Sequence, residues 1–172
     1  MKKIIVVFSA VCLLFASSCT PKKKPVTQEI NPPTPQKQVV EETTMDITLY
    51  YADKDAASLC AETRTVPSDK ANDASFVISE LLKGTSQENL TNSIPKGTKI
   101  NSCTVENGLC TLDLSAEFIS KQGTANEKMA IYSVVNTLCC LDGVDEVQFL
   151  IDGQKVKIFG SYIFDEPFSP EQ

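Results

Sequence analysis

The chain has 172 residues, 42% of them hydrophobic and 22% charged, which predicts one compact domain with a sizeable core. It contains no histidine, and this excludes Ser-His and Cys-His nucleophiles as well as histidine metal ligands. Residues 46–172 hold 19 acidic and 10 basic side chains, an acidic balance that argues against binding to nucleic acid or directly to a membrane surface.

The first segment has the layout of an export signal. Two lysines precede an apolar run over residues 4–15, which is too short to span a bilayer, since a span takes about 20 apolar residues. Small residues and then Cys19 follow, an order that resembles the lipobox of bacterial lipoproteins, although Ala16 stands where leucine is usual. We predict a signal peptide over residues 1–18 and a lipid on Cys19, with an ordinary cleaved signal as the alternative.

Residues 19–45 are predicted to be the lipidated cysteine followed by a disordered tether. Five of the nine prolines fall here, and no aromatic residue does. Proline-rich chains are extended, at about 3.1 Å per residue, and can hold a domain away from a membrane. Lys22, Lys23 and Lys24 would either contact anionic headgroups or merely solvate the linker.

Residues 46–172 are predicted to fold, and their first elements are a strand and a helix. Apolar residues alternate with polar ones over residues 47–51, which predicts a strand, and residues 63–66 form a short extended piece. Apolar residues at helical spacing predict a helix over residues 70–83, capped by Ser68 or Asp69.

The dipeptide Asn107-Gly108 predicts a β-hairpin with a two-residue turn, because both central positions of such a turn favour a positive φ. In that register Glu106 faces Leu109, and every second residue of the two strands shares one face. We expect this face to belong to the core, with Cys103, Val105, Cys110, Leu112 and Leu114 on it.

The longest helical period of the chain predicts a helix over residues 125–140. Thr124 and Glu127 have the spacing of a capping box at its start. A strand follows over residues 144–151, closed by the turn dipeptide Asp152-Gly153.

These elements run in the order β-α-β-β-α-β. The order predicts an α+β fold, a two-layer sandwich with two helices on one face of a small mixed sheet of three or four strands.

Several segments together resemble the GerM-type domain, also called GerMN. They are residues 80–84, 93–99, 112–115, 131–138 and 143–153, and the resemblance extends over about residues 49–156. It implies a small α+β domain similar to the ring-building modules of envelope and sporulation complexes, exported, often found on lipoproteins, and without known catalytic activity. The founding member has two such domains in tandem, whereas this chain has one.

Removal of the signal and acylation of Cys19 leave an odd number of cysteines in the domain, so at least one is free or intermolecular. They are Cys60, Cys103, Cys110, Cys139 and Cys140. In one interpretation Cys139 reaches Cys103 or Cys110 and Cys140 meets Cys60 in disulfides; in the other all five are small buried thiols.

The function that we predict is that of a non-catalytic, lipid-anchored envelope protein, with no cofactor and no metal site. Its domain would bind other envelope proteins or its own copies, in sporulation, germination or other envelope complexes. It would be exported and held on the outer face of the cytoplasmic membrane, or on the periplasmic side in a two-membrane cell. The alternative is a solute-binding lipoprotein, which requires a concave pocket with converging polar and aromatic groups.

Overall fold

The computed structural model describes residues 43–171. The predicted signal peptide, Cys19 and almost all of the predicted tether lie outside these residues. No helix within the described part has the length and apolar character needed to cross a membrane.

The described residues form eight strands and two α-helices. In the first half lie β1 (Thr44–Asp53), β2 (Leu59–Pro67), α1 (Ala74–Leu82), β3 (Leu90–Thr91), β4 (Ile100–Glu106) and β5 (Gly108–Leu114). In the second half lie α2 (Thr124–Leu138), β6 (Val144–Ile151), β7 (Ile158–Phe159) and β8 (Tyr162–Ile163), with a 3-10 turn at Ala116–Ile119 before α2.

The α+β class with two helices and small mixed sheets is confirmed, but the strands divide differently from the single sheet that we expected. One antiparallel sheet has the order β2-β1-β3, and a second has the order β4-β5-β6, in which β6 runs parallel to β5. Strands β7 and β8 form a small hairpin of their own. Helix α2 contacts both β1 and β6, so the helical layer joins the two larger sheets.

The core lies between the helices and the inward faces of these sheets. Leu49 and Tyr51 of β1 pack with Val77, Ile78 and Leu81 of α1 in a single cluster of fully buried side chains. A group of stacked and edge-to-face rings extends the cluster beneath β6; it comprises Phe118, Phe149, Phe159, Phe164 and Phe168. Aromatic pairs in these geometries contribute about 0.5–1.5 kcal/mol beyond the area they bury.

The predicted hairpin is confirmed. Asn107 and Gly108 have φ values of 52° and 86°, and Glu106 lies opposite Leu109. Cys110, Leu112 and Leu114 face the core, as predicted. Val105 was wrongly assigned to the core: it lies two residues before the Asn107-Gly108 turn, near the tip of the hairpin, and is 41% exposed.

Both helix starts differ from the predicted caps. Helix α1 begins at Ala74, and its cap is Asp73, whose carboxylate accepts from the Phe76 N–H at 3.1 Å. Helix α2 begins at Thr124 after Gly123, which has a φ of 93°, and no side chain caps it. The predicted capping box therefore does not form.

Candidate interaction surface

The outer edge of strand β2 is the longest unpaired strand edge among the described residues. Strand β2 pairs with β1 over its whole length, from Ala52 opposite Leu59 to Thr44 opposite Pro67, and no strand formed by residues 43–171 lies on its other side. The sequence suggested only residues 63–66 as extended, so the length of this edge was not foreseen.

The backbone groups on this edge follow from the partner strand. The Tyr50 N–H donates to Thr137 Oγ1 of α2 at 2.9 Å, so Tyr50 directs its backbone groups away from β2. Its cross-strand partner Ala61 then directs its own groups away from β1, because paired residues of an antiparallel ladder alternate between bonded and non-bonded pairs. Thr63 and Thr65, two and four residues on, share this orientation and present unpaired N–H and C=O groups.

Of the devices that usually block association between strands, this edge has inward-pointing charges, on Glu62 and Arg64, which pair with each other, but it lacks lysines, bulges and an interior proline. Natural edges carry lysines, prolines or bulges that prevent another strand from pairing. Strand β2 has no lysine, its ladder with β1 has no register shift, and its one proline is the last residue, Pro67. On the outer face Ala61, Thr63 and Thr65 are exposed and uncharged.

The other edges of the two larger sheets are less open than the β2 edge. The free side of β1 is covered by α2 at Tyr50 and by β3 beyond it. Strand β6 exchanges two backbone hydrogen bonds with Phe168 of the C-terminal segment, from Val147, at 2.8 and 2.9 Å. Strand β4 has a register shift near Ile100, which bends its edge away from regular pairing.

On the inner face of β2, an ion-pair network fixes the strand to the end of α1. The Arg64 guanidinium donates to the Glu80 carbonyl at 2.7 Å and to the Gly84 carbonyl at 2.9 Å, and it pairs with the Glu62 carboxylate at 2.6 Å. These carbonyls close the carboxyl end of α1, where backbone acceptors lack helical partners. The Tyr51 hydroxyl donates to the Gly84 and Leu81 carbonyls at 3.0 and 3.2 Å.

The environment of the network shifts the pKa values of Arg64 and Tyr51. Burial acts to lower the pKa of the Arg64 guanidinium, but the hydrogen bond with Glu62 and the nearby Tyr51 phenol outweigh it, so the pKa lies above its usual value. Burial raises the pKa of the Tyr51 phenol, against the opposite effect of Arg64. At neutral pH the Arg64 guanidinium is therefore charged and the Tyr51 phenol is neutral.

A groove of about 630 Å³ runs beside this edge. One wall consists of residues 62–65 of β2, and the other includes Lys83 and residues 84–87, which follow α1. Edge and groove together make a surface that an extended chain can occupy.

The five predicted cysteines do not gather at one place. Cys103 and Cys110 lie together, with their Sγ atoms 3.6 Å apart, whereas the Cys139 thiol donates to the Asp145 carbonyl at 3.4 Å. Cys140 is exposed and neighbours the Tyr50 phenol, and Cys60 lies opposite Tyr51 in the sheet.

Within residues 43–171, no group of three or more Cys, Asp or Glu side chains is placed to hold a metal ion. A separate cleft of about 350 Å³ is lined by residues that include Tyr50, Lys128, Asn136 and Glu171. Tyr50 is the one aromatic residue in its lining, which offers little stacking surface for a small solute.

A sequence profile of the Germane family, described as sporulation and spore germination, matches residues 48–157. The chain belongs to the Germane family. The match covers β1 from residue 48 onward, strands β2 to β6 and both helices, and thus includes the whole β2 edge. No curated protein matches the chain.

Three solved structures share this fold. The tandem GerMN domains of the sporulation protein GerM from Bacillus subtilis align with a TM-score of 0.60 at 25% identity, over 74% of this chain and 45% of that chain. The first GerMN domain of the same protein aligns with a TM-score of 0.60 at 24% identity, over 71% and 96%. A candidate lipoprotein from Clostridium perfringens aligns with a TM-score of 0.54 at 24% identity, over 73% and 87%. The predicted GerM-type domain is thereby confirmed.

Proposed function

We propose that this chain is a non-catalytic, lipid-anchored protein of the cell envelope whose Germane domain assembles with a second copy of itself through the β2 edge. The single observation that carries the proposal is the long edge of β2, which has no bulge and whose outer face is uncharged. A predicted lipid on Cys19 and the likeness to a candidate lipoprotein support the anchor. The family's role in sporulation and germination supports a place in an envelope complex of that kind.

The β2 sequence is complementary to itself. If two copies pair antiparallel about Thr63, each Thr63 lies opposite its counterpart, and Ala61 lies opposite Thr65 of the other copy. All three residues direct their backbone groups outward, so the pairing forms regular ladder hydrogen bonds. Glu62 of one copy then lies opposite Arg64 of the other, and an opposite-charge pair at such positions contributes about 0.2–1 kcal/mol.

The net charge of the domain opposes this assembly and gives it a characteristic salt dependence. Each domain carries an excess of acidic side chains, so two copies repel one another over distances that salt screens. The proposed assembly should therefore strengthen as salt is raised. Anchoring both copies to one membrane would raise their effective concentration and offset the repulsion.

Sedimentation velocity on the full chain in a non-ionic detergent tests the proposal. Thr63→Pro removes an N–H that points out of the edge, a position at which strands tolerate proline, and it should convert a dimer into a monomer. Thr48→Pro is a matched control, since Thr48 lies directly opposite Thr63 and points to the other side of the same ladder.

A wild-type chain that remains monomeric across protein and salt concentrations would reject self-assembly. Equal loss of the dimer in Thr63→Pro and Thr48→Pro would mean that the contact does not lie on the β2 edge. Circular dichroism of both variants shows whether each retains its fold.

A further inference from the structure

A pair of thiols lies on the core face of the β4–β5 hairpin, away from the β2 edge. Cys103 of β4 lies opposite Leu112, and Cys110 of β5 lies opposite Val105, so the two cysteines are diagonal neighbours. Their Sγ atoms are 3.6 Å apart. Cys110 is completely buried, whereas Cys103 is partly exposed to solvent.

The backbone holds this pair in place. Cys110 also faces Val147 in the parallel ladder with β6, so its strand is fixed on both sides. The Asn107-Gly108 turn sets the register of the hairpin. A disulfide has an S–S length of about 2.05 Å, so the two sulfur atoms need to approach by about 1.6 Å. Diagonal positions of a hairpin have Cα atoms about 7–8 Å apart, so closing the bond takes side-chain rotation together with a small shift of the hairpin backbone.

Cys139, the other cysteine that influences Cys110, makes its own hydrogen bond elsewhere. The Cys139 thiol donates to the Asp145 carbonyl at 3.4 Å, at the start of β6.

A hydrogen bond from Cys110 lowers the pKa of the Cys103 thiol, against the opposing effects of burial and of Asp73. The hydrogen bond, burial and the neighbouring Cys103 and Cys139 all raise the pKa of Cys110.

We propose that Cys103 and Cys110 form a thiol–disulfide exchange site, in which Cys103 is the attacking residue and Cys110 the resolving one. The oxidant is a small or protein disulfide, of which oxidised glutathione is the probe. The Cys103 thiol loses its proton, and the thiolate attacks one glutathione sulfur and forms a mixed disulfide. One glutathione leaves as a thiolate and takes up a proton.

Cys110 then loses its proton, and its sulfur attacks Cys103 Sγ. The bond between Cys103 and glutathione breaks, the Cys103–Cys110 bond forms, and the second glutathione leaves as a thiolate that takes up a proton. Two protein thiols are thus oxidised while one glutathione disulfide is reduced to two thiols. Excess reduced glutathione reverses the sequence. Disulfides persist in the oxidising compartments that exported proteins reach, whereas glutathione and thioredoxin keep cytosolic thiols reduced.

The sequence offers a direct readout. Cleavage after lysine and arginine releases residues 100–121 as one peptide, which holds Cys103 and Cys110 and no other cysteine. It also releases residues 129–155, which hold Cys139 and Cys140 and serve as an internal control. The full chain is equilibrated with mixtures of reduced and oxidised glutathione, trapped with an alkylating agent, digested and analysed by mass spectrometry.

In oxidising mixtures we expect the peptide of residues 100–121 to carry an internal disulfide and no alkyl group, and in reducing mixtures to carry two alkyl groups. The control peptide should be alkylated in both. In the Cys110→Ser variant the exchange should stop at the glutathione adduct on Cys103. In the Cys103→Ser variant Cys110 should form no adduct. Circular dichroism shows that each variant is folded.

Three outcomes would overturn the proposal. One is complete alkylation of residues 100–121 at every glutathione ratio. Another is a disulfide that joins residues 100–121 to residues 129–155, which would assign Cys139 as a partner. The third is a glutathione adduct that accumulates on wild-type Cys103 without closing.

Discussion

Replacement of Arg64 with methionine should remove the side chain that joins β2 to the carboxyl end of α1. The guanidinium donates to two backbone carbonyls, at 2.7 and 2.9 Å, and hydrogen bonds from a charged donor contribute about 1.5–3 kcal/mol each. The change also leaves Glu62, which is 6% exposed, without its cation. Breaking a buried pair in this way costs about 3–5 kcal/mol.

These contributions overlap and cannot be added. Arg64 is 22% exposed on its side chain, so water reaches part of the network, and Glu62 keeps a hydrogen bond from the Thr85 hydroxyl. We therefore expect the lower end of the range: the free energy of unfolding of Arg64→Met should fall by about 3 kcal/mol. Urea unfolding followed by circular dichroism at dilute protein measures it, and an unchanged slope with urea shows that the two-state analysis holds.

Lys83→Met is the matched control. Lys83 pairs with Glu80, a member of the same network, but is 64% exposed, so its loss should cost less than about 1 kcal/mol. Adding Glu62→Gln to Arg64→Met should recover part of the stability, because the uncompensated carboxylate is then removed. If Arg64→Met costs no more than Lys83→Met, the network does not hold β2 to α1 and the reasoning fails.

Three further predictions concern the core and the turns. Ser133→Ala should raise the free energy of unfolding by about 1 kcal/mol in urea titrations, because the Ser133 hydroxyl is buried without a hydrogen-bond partner among the described residues; a loss of stability would show that the hydroxyl is bonded. Gly160→Ala should lower the free energy of unfolding more than Gly143→Ala does in the same titrations. Both glycines have a positive φ, which costs about 1–2 kcal/mol for alanine, but only at Gly160 would a Cβ meet the Glu127 carboxylate. Equal losses of stability in the two variants would contradict this. Stability in the presence of a reducing agent should fall as pH rises above about 9, because burial raises the pKa of Cys139 to about 11, so the unfolded chain releases a proton that the folded chain retains. Cys139→Ser should make that fall less steep, although Cys110, whose pKa is also raised, keeps part of it, and an identical slope in the variant would refute the prediction.

Local chemistry made part of the fold predictable. The Asn107-Gly108 turn fixes its own backbone angles, and the hairpin register follows without help from distant residues. The strand before Asp152-Gly153 was predictable for the same reason: Ile151 and Gln154 exchange two backbone hydrogen bonds across this turn, at 2.8 and 3.0 Å.

Elements set by tertiary contacts were not predictable. The inward face of β2 carries Glu62 and Arg64, which break the apolar alternation of a half-buried strand, and only the end of α1 explains why they are buried there. The predicted capping box failed because Glu127 is buried beside Gly160, a residue more than 30 positions further along the chain. The β2 edge was missed because most of strand β2 was not predicted. An edge can be recognised only when it is known which strands pair and which do not.

Register-specific cross-linking tests the central claim, the β2 edge as a contact between two copies, most directly. In an antiparallel pair about Thr63, the two Cα atoms of residue 63 lie about 5.5 Å apart, within the range that a disulfide spans. The two Ala61 residues lie four positions out of register, about 13 Å apart, and are beyond that range.

In native membranes, with Cys60→Ser as the common background, Thr63→Cys should yield a disulfide-linked dimer on mild oxidation. Ala61→Cys should not, but mixing Ala61→Cys with Thr65→Cys chains should restore the cross-link. No cross-link from Thr63→Cys, or equal cross-linking from Thr63→Cys and Ala61→Cys alone, would contradict the account.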